Sequence, residues 1–153
     1  MKRKVILALA WLSVVAVCVA IFLFSGEAAE DSAGQSGFLR ALFTKIFGIG
    51  FTEFFIRKFA HMSEFAALGF LSAFAFAYSL KTAKAFYWGI VFSFCYAVSD
   101  EVHQLFVAGR SGQVRDVFID LAGAMLGVLV LGCCYGIYRL VKGKKNVQRV
   151  QGD

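Results

Sequence analysis

Charge is scarce in this sequence: Asp, Glu, Lys and Arg make up 17% of its 153 residues, against about 25% in a typical soluble domain. No stretch between the charges resembles a separately folded soluble domain, and the length leaves room for one domain. Proline is absent, and cysteine occurs four times. Cys18, Cys95, Cys133 and Cys134 all fall inside apolar runs, where cysteine packs as a small hydrophobe, and their spacing matches no metal-ligand pattern. The adjacent pair Cys133 and Cys134 is a weak lipidation signal. Neither an HExxH helix motif nor a G-x-S-x-G elbow is present, so Ser63, Ser99 and Ser111 lack the context of an activated nucleophile.

What fills the sequence instead is apolar. Hydrophobic residues reach 59% and the mean hydropathy is +0.71, more apolar surface than a soluble domain can hide. The net charge of +6 does not point to a nucleic-acid partner. Its basic residues sit beside apolar runs, where the positive-inside rule and anionic headgroups account for them. The lipid bilayer is the expected partner.

Four runs are long enough to cross about 30 Å of hydrocarbon at about 1.5 Å per helical residue: residues 5–24, 59–80, 85–106 and 117–138. The first follows Lys2, Arg3 and Lys4 but is longer than the usual signal-peptide core, so an uncleaved anchor is expected. Small residues such as Gly69, Ser72, Ala73, Gly123, Gly127 and Gly132 suit close helix approach, and Gly123 with Gly127 forms a GxxxG. Between the first two runs, SGEAAEDSAGQSG at 25–37 reads as a polar external loop. Residues 38–56, apolar but interrupted by Arg40, Lys45 and Glu53 and broken at Gly48-Ile49-Gly50, read as an interfacial helical segment.

Charge asymmetry sets the orientation. With the amino terminus inside, four spans leave Lys2, Arg3, Lys4, Lys81, Lys84, Arg139, Lys142, Lys144, Lys145 and Arg149 in the cytoplasm, the larger share of the sixteen basic residues. A fifth span at 38–56 would export the basic tail. The expected fold is therefore an all-α membrane protein, a four-transmembrane-helix bundle with both termini inside and an outer interfacial segment.

Ionisable groups inside membrane helices cost about 2.5–3.5 kcal/mol each at the helix centre, so their presence needs a reason. On the second span Arg57, His61 and Glu64 share a face at i, i+4 and i+7, with Lys58 beside them. Asp100, His103 and Gln104 share a face of the third, flanked by Glu101. Asp116 and Asp120 stand at i, i+4 on the fourth, after a loop carrying Arg110 and Arg115. All lie within about three turns, roughly 10–15 Å, of the same ends of their spans. A common polar pocket open to the outer leaflet is implied, since the alternative is unpaired charge facing lipid.

Two accounts of the cluster stand side by side: an ion-pair staple joining three helices, or a site that binds or transforms something. The abundance of groups and the two histidines, poised for proton transfer or ligation, favour a site. Carboxylate and imidazole donors for a divalent cation are plentiful, but without a ligand spacing along the chain no metal is expected and no cofactor is indicated. Arginine and lysine suit phosphate, which makes an anionic lipid or a lipid-linked cell-wall intermediate the natural ligand. The alternative is an intramembrane enzyme acting on a phospholipid or lipid-linked precursor, with His61 or His103 as acid-base and Arg110 and Arg115 holding phosphate. A proton-coupled transporter is disfavoured because polarity confined to one half gives no through-path.

RKFAHMSEFAALGFL at 57–71 and SDEVHQLFVAGRSGQVRDVFIDLAGAMLG at 99–127 resemble the VanZ-like family of bacterial membrane proteins. The likeness rests on Arg57, Lys58, His61, Glu64, Asp100, Glu101, Gln104, Gly109, Arg110, Asp116, Gly123 and Gly127, and extends from Arg57 to about Leu131. It departs at Ala108, where proline is expected before Gly-Arg. The resemblance implies a multi-pass protein of the bacterial plasma membrane and cell envelope, in a family whose namesake is associated with low-level resistance to teicoplanin-type glycopeptides. It transfers no catalytic role, and family membership alone does not make the chain a resistance protein. The implied organisation is an anchor at 1–24, an external loop and interfacial segment at 25–56, a three-helix core at 57–138 and a basic cytoplasmic tail at 139–153.

Overall fold

A computed structural model describes residues 2–26, 41, 44, 45, 48 and 52–151. Its four principal elements are the helices α1 (Lys2–Ser25), α2 (Glu53–Leu80), α3 (Lys84–Gln104) and α4 (Val114–Gln151), and no strand occurs among the described residues. Long apolar runs without a single proline leave nothing to interrupt the intrahelical hydrogen bonds. Local chemistry sets the ends. Thr52 caps α2, its hydroxyl accepting from the Phe55 amide at 3.3 Å, which satisfies one of the donors a helix start leaves unpaired. At the other end Lys81 adopts the left-handed conformation with φ 55° and donates its amide to the Ala77 carbonyl, closing the helix. Only the short link Lys81-Thr82-Ala83 separates α2 from α3, so the two run antiparallel.

Three of the helices are long and apolar enough to cross a membrane: Lys2–Ser25, Phe54–Leu80 and Val114–Gly143. The third expected span corresponds to α3, which falls outside that group because its last turns carry Ser99, Asp100, Glu101, His103 and Gln104. Large apolar side chains face outward, among them Leu9, Leu12 and Val19 on α1 and Phe118, Leu129 and Ile137 on α4. Exposed apolar surface on this scale is that of a protein solvated by lipid.

Helix ends fall differently from the expected boundaries in three places. Ser25, expected to open the loop, is instead the last residue of α1 and fully buried. Helix α4 continues through the basic stretch after 138 to Gln151. Of the expected loop and interfacial segment, residues 27–40, 42, 43, 46, 47 and 49–51 lie outside the described residues. Glu53 to Ile56 form the first turn of α2.

Helix α2 is the hub, packing against α1, α3 and α4. Glycines bring α4 onto it almost backbone to backbone. A Cβ on Gly123 would fall on the Met62 carbonyl, one on Gly127 on the Ala66 carbonyl, and one on Gly69 on the Ala124 carbonyl. The GxxxG of α4 therefore works as expected, with small residues allowing dispersion contacts along the whole crossing. On the α3 side Gly89 meets Ala73, and the Ser72 hydroxyl donates to the Gly89 carbonyl at 3.2 Å. Phe65 and Leu68 of α2 are fully buried in a core shared with Val14 and Ile21 of α1, Ala97 of α3 and Val117 of α4.

Candidate functional site

The alternating helix directions place the end of α1, the start of α2, the end of α3 and the start of α4 at one end of the bundle. The opposite end is marked by Arg3, which donates to the Tyr78 carbonyl at 3.4 Å, and by Trp11 Nε1, which donates to Ser79 Oγ at 3.3 Å. Every candidate site residue read from the sequence lies at the first end. The alternating helix directions bring them to one end of the bundle.

Glu101 of α3 fixes the start of α4. Its Oε2 accepts from the Gln113 amide at 2.7 Å, a carboxylate at a helix N-terminus, where free donors and the helix dipole both favour negative charge. The mirror arrangement holds α1: Arg110 donates through Nη2 to the Phe24 carbonyl at 3.1 Å, a cation at a helix C-terminus. Gly109, immediately before it, has φ +73°, a backbone conformation that side chains other than glycine rarely adopt. That turn, made without the expected proline, brings Arg110 back over the helix ends.

Behind Arg110 lies a buried polar network. Asp100 Oδ2 accepts from Ser25 Oγ at 2.8 Å and from Gln104 Nε2 at 2.9 Å, and Gln104 Nε2 also lies 3.0 Å from Ser25 Oγ. Lys58 of α2 forms an ion pair with Asp116 Oδ2 of α4. Both partners are largely buried, a setting in which breaking such a pair costs about 3–5 kcal/mol because the survivor is left uncompensated. Asp120, one turn further along α4, is 1% exposed, and its Oδ2 has no hydrogen-bond partner among the described residues. An orphaned buried acceptor of this kind costs about 1–3 kcal/mol and calls for an explanation.

A cavity of about 70 Å³ opens among these groups. Arg57, Lys58, His61, Glu101 and Gln104 line it from α2 and α3, and Arg110, Asp116 and Asp120 from the loop and α4. Asp100 adjoins it: His61, Asp100 and Asp120 each place a donor atom within 4.8 Å of the other two. The chamber is far smaller than the roughly 300–1,000 Å³ of a drug-sized ligand pocket. It has room for a headgroup fragment, an ion or about two waters at ~30 Å³ each.

Comparison with known proteins bears on what this end of the bundle belongs to. The model of the family described as VanZ/LLP1 matches residues 10–136. The chain belongs to that family. No curated protein and no solved structure gives a significant match.

The VanZ/LLP1 match begins well inside α1, whereas the motifs that suggested the family start at Arg57. Helix α1 is accordingly more than an anchor in this VanZ/LLP1 protein, because it supplies Ser25 and the Phe24 carbonyl to the polar network. Tyr96 of α3 also donates to the Cys18 carbonyl of α1 at 2.6 Å. Ser25 is a site residue that sequence spacing missed. Its one signal is position, as the last polar group before Gly26 at the end of an unbroken apolar run.

Eight of the twelve expected residues line the chamber, and Asp100 adjoins it. Three stand apart. His103 stacks on Phe22 with ring centroids 4.3 Å apart, and its buried Nε2 has no hydrogen-bond partner among the described residues. Arg115 is exposed, its guanidinium 5.6 Å from the Phe54 ring centroid. Glu64 is half-buried on α2 and outside the cavity lining. Of the two candidate histidines, His61 is the one at the chamber.

Proposed function

We propose that this VanZ/LLP1 membrane protein spans the bacterial plasma membrane four times with both termini inside, and that its polar chamber binds the phosphate of an outer-leaflet lipid or lipid-linked cell-wall intermediate. The observation that carries the reading is the chamber wall, where Arg57, Lys58 and Arg110 converge on a space of about 70 Å³. Guanidinium and ammonium groups at the lipid boundary favour a phosphate, and the small volume limits contact to a headgroup fragment while acyl or prenyl chains stay in the bilayer. Counting α3 as a span follows from its 21 residues, about 31 Å of helix, and from its antiparallel packing on α2. In this reading a glycopeptide-tolerance role is the cellular consequence of holding such a ligand.

The test is native mass spectrometry of the full chain released from mixed-lipid nanodiscs. Phosphatidylglycerol or a polyprenyl phosphate should stay bound in preference to phosphatidylcholine, and the double change Arg57→Ala, Arg110→Ala should abolish that preference. Equal retention of anionic and zwitterionic lipids would sink the proposal.

One observation favours catalysis as a second reading. His61 lines the same chamber and lies beside Asp100 and Asp120, so an imidazole able to move a proton would face any bound phosphoester. Turnover of a phospholipid or lipid-linked substrate, lost in His61→Ala while binding persists, would establish it.

A further inference from the structure

Three side chains from three helices meet at the chamber. His61 of α2, Asp100 of α3 and Asp120 of α4 each bring one potential ligand atom within 4.8 Å of the other two. Two ligands of one ion can be no further apart than twice the bond length. That limit is about 4.2 Å for bonds near 2.1 Å, as for zinc. The donors are thus spaced as an open site that a small side-chain adjustment would close.

An independent observation points to something bound there. Asp120 is 1% exposed, lines the chamber, and keeps Oδ2 without a hydrogen-bond partner among the described residues. The nearby lysine does not resolve this, because Lys58 is paired with Asp116. Glu101 is also engaged, at the Gln113 amide. Asp100 is held by Ser25 and Gln104, both on Oδ2, the outer-shell support that fixes a ligating carboxylate.

We propose that His61, Asp100 and Asp120 hold a divalent transition-metal ion of the zinc or manganese class. One imidazole with two carboxylates suits those ions, whereas magnesium and calcium prefer oxygen alone. The ion neutralises two carboxylates that share a low-dielectric space and gives Asp120 Oδ2 its missing partner. Three protein ligands leave coordination positions for water or an incoming oxygen, the pattern of sites that bind or activate a ligand and not of closed structural sites. The inference stands apart from the anionic-lipid reading, since it needs only the three donors and the orphaned oxygen.

The experiment uses the full chain in detergent, stripped with EDTA and then equilibrated with Mn²⁺ or Zn²⁺ alone. Metal content is measured by mass spectrometry and Mn²⁺ binding by paramagnetic resonance. One equivalent per chain is expected, with at least tenfold weaker binding in His61→Ala, Asp100→Asn and Asp120→Asn. The double change Cys133→Ser, Cys134→Ser should retain the full equivalent. Should any ligand variant fail to elute as a folded monodisperse species, the unaltered chain decides the matter, because Mn²⁺ in the proposed site must show nitrogen coupling from one imidazole. Stripped protein that takes up no metal, variants that bind as tightly as the unaltered chain, or bound Mn²⁺ without nitrogen coupling would each overturn the proposal.

Discussion

Ser25 Oγ lies 2.8 Å from Asp100 Oδ2, so the last residue of the first helix is tied to a buried acid of the third. A hydroxyl donating to a carboxylate contributes about 1.5–3 kcal/mol, and Asp100 keeps one other donor on that oxygen, Gln104. Ser25→Ala should therefore lower the detergent melting temperature by several degrees without abolishing folding. The pair Ser25→Ala, Gln104→Leu should be far worse, since Asp100 would then lose both donors. A melting curve for Ser25→Ala that overlays the unaltered chain would show that α1 docks without this bond.

Helix approach gives a second test, in which glycines of one helix separate into two groups. Gly127→Leu and Gly123→Leu should prevent α4 from seating on α2, because even a Cβ there meets the Ala66 and Met62 carbonyls. Gly132→Ala and Gly136→Ala should be neutral, as a Cβ at either position meets nothing within 4 Å. Recovery of monodisperse protein by size exclusion reads both. Normal yields of Gly127→Leu would mean that α2 and α4 pack by another register.

Much of this arrangement is legible in the sequence because it depends on period and length. Apolar runs mark the helices, and acids and bases at i, i+3 and i+4 mark faces that had to meet. Partner choice is not legible, since it depends on how each helix is rotated about its axis. The sequence argument could tie Asp116 to Arg110 or Arg115 as readily as to Lys58, and the fold pairs it with Lys58. Arg115 and His103 have the same residue types as the chamber lining, yet one turns to Phe54 and the other stacks on Phe22. A metal site was illegible for a related reason: His61, Asp100 and Asp120 have no common spacing along the chain and converge only through α2, α3 and α4.

The Lys58–Asp116 pair separates a staple from a ligand-binding wall. Lys58→Asp and Asp116→Lys should each destabilise the bundle strongly, by about 3–5 kcal/mol for a broken buried pair. The combined swap restores the Coulomb pair and should recover most of that stability. It leaves a lysine in the first turn of α4, at a modest cost of about 0.3–1 kcal/mol against the helix dipole. Retention of anionic lipid should nevertheless stay lost, because a ligand meeting the ammonium at one fixed place cannot follow it to another helix. Full recovery of lipid retention with the swap would reduce the pair to a structural role.

Orientation is the last expectation to test, and it rests on the distribution of basic residues. Arg3 at the start of α1 lies against the end of α2 at Tyr78, so the amino terminus and the basic link at Lys81 to Lys84 are on the same side of the membrane. By the positive-inside rule that side is expected to be cytoplasmic, with the chamber, at the opposite end of every helix, expected on the outer face. Cysteines introduced singly at Ser32, Ser111 and Lys144 in a variant lacking the four native cysteines provide the readout. Ser32→Cys and Ser111→Cys should react with an impermeant thiol reagent added to intact cells, and Lys144→Cys should react only after permeabilisation. Labelling of Lys144→Cys from outside, with Ser111→Cys protected, would invert the topology. The chamber would then face the cytoplasm, and an inner-leaflet phosphate would replace the outer-leaflet ligand as the group to look for.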